Sequence, residues 1–113
     1  MKKLNDYCYE VVQNEEVTIE FTPIQVGESY IAASMDGQTL ESPPGPTPTY
    51  KFTVSKSPGK THFGKIECSF PGSTPDTARF ESNVKGSEGG DFSGPTIKKT
   101  DAVHDPNIEF RVV

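Results

Sequence analysis

The sequence predicts an all-β fold built from two packed antiparallel sheets, and three observations lead there. The first is composition. The chain has two Leu, four Ala and two Met against 37 Val, Ile, Phe, Tyr and Thr, a mixture poor in helix formers and rich in residues that suit a pleated surface. The second is punctuation, because ten Gly and ten Pro supply many turns. The third is alternation, with apolar and polar residues trading places every second position through much of the chain. At 113 residues the length suits one domain spanning 1–113 and argues against a two-domain enzyme, while the composition argues against a helical bundle.

The strands follow in order. Residues 7–12 form the first, with Tyr7, Tyr9 and Val11 on one side. Asn14-Glu15 turns the chain, and Val17, Ile19 and Phe21 then alternate with Thr18, Glu20 and Thr22. Pro23 is expected to end that strand, since proline cannot donate to a central ladder. Residues 29–35 make a weaker strand of small, mixed side chains. Asp36-Gly37 is a strong hairpin signal, because both residues tolerate the positive φ of a tight turn. Residues 38–41 return, carrying Thr39 and Leu40.

Four prolines between Ser42 and Pro48 favour a stiff, extended connection that is neither helix nor central strand. Tyr50, Phe52 and Val54 alternate with Lys51, Thr53 and Ser55, and Ser57-Pro58-Gly59 turns the chain. Ile66, Cys68 and Phe70 define the next strand, and Ala78, Phe80, Ser82 and Val84 the one after it. Residues 86–95 are glycine-rich and read as a long loop. Thr96-Ile97 adds a short strand, residues 101–106 allow at most one helical turn, and Ile108, Phe110 and Val112 end the chain in a strand.

About seven to nine short strands with one apolar face each are best hidden in a sandwich, immunoglobulin-like or of related Greek-key topology. A small barrel satisfies the same periodicity. The tryptophan-and-disulfide core of antibody domains is missing, as the chain has no Trp. Cys8 and Cys68 are the only cysteines. Free thiols are the expected state; the alternative is one bridge closing a loop of about 60 residues, worth roughly 4 kcal/mol.

The formal charge is −5, and Arg79 and Arg111 are the only arginines, so a nucleic-acid partner is not expected. Residues 1–50 hold two bases and eight acids, whereas 51–113 hold nine bases and eight acids. Ordinary solubility charge accounts for this better than an acidic docking face does. No apolar run reaches the roughly 18 residues of a membrane span. The compartment is left open between a cytoplasmic chain and a mature portion freed of its leader.

Catalytic constellations are not assembled in the sequence. There is no Gly-x-Ser-x-Gly elbow, and His62 and His104 have no nucleophile fixed beside them. Asp101, His104 and Asp105 could share one side of a helical turn, but a surface turn explains them as well, and no metal or cofactor is expected. Lys85-Gly86-Ser87-Glu88-Gly89-Gly90 lacks the ending and the following helix of a phosphate-binding loop.

Recognition therefore falls to the two long connections, 42–48 and 86–94. The candidate binding residues are Leu40, Pro44 and Tyr50 around the first, with Asn83, Glu88, Asp91 and Phe92 around the second. The expected function is a non-enzymatic protein-binding module presenting loops from a rigid β scaffold. A carbohydrate-binding sandwich, with Tyr50 and Phe92 stacking on sugar, is the alternative. A stiff loop entering a protease cleft is a second one. An open edge at Ile108–Val112 or Val17–Phe21 would instead favour a homodimer through strand pairing.

Overall fold

Alternating side chains pair into two layers. The computed structural model describes residues 1–113, all in strands and their connections, with no helix. The eleven strands are β1 (Lys2–Asn5), β2 (Cys8–Val11), β3 (Glu16–Ile24), β4 (Tyr30–Met35), β5 (Gln38–Thr39), β6 (Thr49–Thr53), β7 (Thr61–Ser69), β8 (Arg79–Gly86), β9 (Asp91–Ser93), β10 (Ile97–Lys98) and β11 (Asn107–Val112). One sheet has the order β1-β2-β11-β7-β4-β5. The other has β10-β8-β3-β6, with β9 also paired to β8.

Both sheets turn apolar residues into one shared core. Val17, Ile19 and Phe21 come from β3, and Tyr9, Val11, Ile66, Ile108 and Phe110 from the facing sheet. The Phe110 ring stacks on Tyr9 at 5.4 Å and meets Phe52 edge-on at 5.0 Å.

The strand count is eleven, above the expected seven to nine, and the additions have a common cause. β1 shows no apolar alternation; it exists because β2 offers it a partner, with a register shift between Lys3 and Asn5. β9 lies inside the glycine-rich segment, where Asp91, Phe92 and Ser93 pair with β8. Gly89 and Gly90, at φ of 104° and 97°, make the reversal that a side chain would oppose.

Two other expectations are corrected, for Pro23 and for the sense of strand pairing. β3 continues through Pro23 to Ile24, pairing Pro23 with Phe80 of β8. The odd-numbered residues of β3 aim their backbone groups at β6, whose first residue stands opposite Glu20. The N–H that Pro23 lacks would point past the end of that neighbour, so no ladder bond is lost. Residues 101–106 form bends and no helical turn. Their carbonyls reach across the chain, with His104 accepting from Cys68 N–H and Pro106 from Ile66 N–H. Finally, the pairing is not wholly antiparallel, since β11 runs parallel to β2.

Both strands named as open edges are central: β11 lies between β2 and β7, and β3 between β8 and β6. Tyr7 is exposed, contrary to its alternation with Tyr9, because it precedes β2. Cys8, expected in the outward phase, is buried between strands β1 and β11.

Candidate functional site

The seven candidate binding residues do not converge. Thr49 pairs with Glu20, so the proline segment leaves β6 toward the Ile24 end of β3. Gly86 pairs with Val17, so the glycine segment leaves β8 toward the opposite end. The two connections serve opposite ends of the second sheet.

Around the first connection, Pro43 to Pro46 are all exposed, including Pro44. Their base is fastened: the Thr49 N–H donates to Ser42 Oγ at 2.8 Å. Leu40 is half-buried against the core. Tyr50 is 5% exposed, donates its hydroxyl to the Ile31 carbonyl at 2.9 Å and meets Phe21 edge-on. Its position in a loop-borne site is thereby corrected: Tyr50 is a core side chain with a satisfied polar tip.

Around the second connection, Asn83 Nδ2 donates to Asp91 Oδ1 at 2.5 Å, bracing the β8–β9 hairpin. Phe92, a candidate for stacking on a ligand, is instead half-buried against the core, as the hairpin folds it inward. The Glu88 side chain is exposed, but its backbone is held. Its N–H donates to the carboxylate of Glu15, a fully buried group.

The aromatic rings that do meet solvent are elsewhere. Tyr30 and Phe63, 59% and 60% exposed, lie on the outer face of the first sheet. They stand about 20 Å apart by strand rise, since Tyr30 pairs with Ser69 at the far end of β7. A recess of about 220 Å³ beside Tyr30 is lined by Ala32, Ser34, Thr39 and Glu67. The sequence signal was present: Tyr30, Ala32 and Ser34 alternate with the inward Ile31, Ala33 and Met35. A second recess, about 400 Å³, lies between the proline segment and β6, lined by Glu41, Ser42, Pro43, Pro44, Thr49 and Lys51.

His62 is buried and engaged on both ring nitrogens. Nδ1 lies 2.6 Å from Asp36 Oδ2, and Nε2 faces the N–H groups of Ser55 and Lys56 at 3.3 and 3.4 Å. That pattern fits the neutral ring with its proton on Nδ1. Burial works to raise the Asp36 carboxyl, but hydrogen bonds from Phe63 N–H, His62 and Lys56 outweigh it, and the net shift is downward. The group therefore clamps the β6–β7 turn. His104 Nε2 meets the Lys99 carbonyl at 2.9 Å, and its ring packs edge-on to Phe70. No three His, Cys, Asp or Glu side chains are grouped to hold a metal ion.

Both cysteines are free. Burial pushes the Cys68 thiol up to about 12, with the Ser69 N–H pulling the other way. Burial also raises Cys8, against the opposing charge of Arg111. Thiolate is the reactive form, so a disulfide-exchange reagent at pH 8 is expected to label the folded protein slowly and both thiols rapidly in denaturant. Fast labelling of the folded chain would contradict that environment. The linked stability is fully present below the ordinary thiol pKa of about 8.5 and declines as pH rises toward the folded values.

No helix is long and apolar enough to cross a membrane. Comparison with protein-family models, curated proteins and solved structures finds no match to this chain.

Proposed function

We propose that the protein is a non-enzymatic binding module that presents its proline segment to a protein partner. The observation carrying this reading is the exposure of Pro43 to Pro46 on a base closed by the Ser42–Thr49 hydrogen bond. A stiff apolar tip on a fastened base loses little conformational freedom on binding, which favours affinity. The occupied nitrogens of His62 support a structural role for that residue in place of acid–base chemistry. The parallel β2–β11 pair beside β7 and β4 supports an immunoglobulin-like reading of the first sheet.

The test is affinity for a captured and identified protein, compared between the native chain and a Pro43→Ser, Pro44→Ser double variant. A loss of about tenfold or more is expected. Unchanged affinity with intact folding would reject the proline segment as the contact.

One observation favours a second reading, carbohydrate binding. Tyr30 offers an exposed ring beside a recess holding the hydroxyls of Ser34 and Thr39 and the carboxylate of Glu67. Retention on neutral glycans that is abolished by Tyr30→Ala would move the function to that face.

A further inference from the structure

β6 is the longest strand lying at a sheet edge, since the other terminal strands, β1, β5 and β10, have four, two and two residues. Its free side can be read from the ladder. The Phe21 N–H donates to the Pro48 carbonyl and the Val54 N–H to the Glu15 carbonyl. Antiparallel pairing alternates, so Tyr50 and Phe52 face β3 while Thr49, Lys51 and Thr53 direct their backbone groups outward. The Thr49 N–H is taken by Ser42 Oγ. The N–H and C=O of Lys51 and Thr53 have no partner; a recess lined by Glu41, Pro43 and Pro44 adjoins Lys51, and one of about 180 Å³ bordered by Gln38, Thr39 and Leu40 adjoins Thr53.

We infer that β6 is a strand-addition site: an extended segment of a partner protein pairs with Lys51 and Thr53 and lays an apolar side chain against Pro43 and Pro44. The inference rests on the protein-binding reading and names its mode. Main-chain bonds supply affinity in such sites, and adjoining pockets supply specificity. The exposed ammonium of Lys51 is held only loosely, by Glu16 at 4.0 Å, and it is the one basic group in a recess that also holds Glu41, so a carboxylate on the incoming segment is favoured only where it reaches Lys51 itself.

A second copy of the chain fits less well than a peptide. Two β6 edges related by a two-fold axis share only Lys51 and Thr53. Beyond those residues the Glu41–Pro44 segment stands against Thr49 and meets the other copy's Ser55 and Lys56. There the N–H groups already point at His62. A short free peptide avoids that obstruction.

The experiment pans a phage-displayed library of short linear peptides on the full chain and synthesises the most enriched sequence. The expected peptide alternates β-branched residues and carries an acid. At saturation it slows amide exchange at Lys51 and Thr53 by about tenfold or more. Lys51→Gln, which keeps the N–H and removes the charge without adding an acid beside Glu16 and Glu41, is expected to weaken binding about fivefold. Lys51→Pro, which removes the N–H, is expected to abolish it. Failure to enrich any peptide over the bare support overturns the inference. A peptide that protects other amides overturns it too, while leaving the protein-binding reading standing if Pro43→Ser, Pro44→Ser still weakens capture. Self-association that protects the same two amides assigns the edge to a second copy and also overturns it.

Discussion

Replacing Phe110 with alanine is expected to lower the unfolding free energy by about 3–5 kcal/mol, the range for removing a buried aromatic ring. Phe110 is fully buried on β11, stacked on Tyr9 of the neighbouring β2 and edge-on to Phe52 of the opposite sheet. Its removal takes contacts from both layers at once. The strand around it is held on two sides, parallel to β2 and antiparallel to β7, so the backbone has little freedom to collapse into the void. A domain of this size has a total stability of roughly 5–15 kcal/mol, and the loss is a large share of it. Denaturant melts of the two proteins read the difference as a shift in midpoint at unchanged slope. A shift no larger than that of an exposed substitution such as Phe63→Ala would show that the two sheets do not share this core.

Glu15→Ala is expected to cost a comparable amount, about 3–5 kcal/mol, by a different physical route. The Glu15 side chain is fully buried, and its Oε2 lies 3.3 Å from the Met1 ammonium and 3.2 Å from Glu88 N–H. Oε1 accepts from Val12 N–H at 3.1 Å. Alanine leaves the Met1 ammonium with only the Gly89 carbonyl, at 3.0 Å, and two backbone donors without an acceptor. Glu15→Gln retains a carbonyl acceptor but removes the charge, and a smaller loss is expected from it. The same carboxylate holds the glycine-rich segment through Glu88, so faster amide exchange at Glu88 should accompany the lost stability. Wild-type stability and exchange in Glu15→Ala would remove Glu15 from the structural account.

How far the fold is legible depends on where its driving force lies. Val17, Ile19 and Phe21 alternate in sequence and are all buried, because one apolar face on a two-residue period has a single way to hide. β1 carries no such period, since Lys2, Lys3 and Asn5 are strand residues only through their pairing with β2. Pro23 illustrates the same limit. Its cost depends on which neighbour its missing donor would face, and that neighbour lies about 27 residues further along the chain.

The candidate site divides similarly. Exposure of Pro44 follows from local stiffness and the lack of any apolar period around it. Tyr50 shares its period with the buried Val54 and belongs to the core by that same rule, so placing it in a loop site conflicts with its own pattern. The outward setting of Tyr30 was legible from its alternation with Ile31. The recess beside it was not, because Thr39 and Glu67 reach it from two other strands.

By itself, the sequence determined the all-β class, the faces of the long strands and the tight turns at Asp36-Gly37 and Pro58-Gly59. These depend on local stereochemistry and on burying one face of each strand. Only the tertiary structure decided strand order, the parallel β2–β11 pair, the clamp of Asp36 on His62 and the open edge at β6. Each of those depends on which distant segments become neighbours, and a two-residue period specifies a buried face without naming the strand that lies beside it.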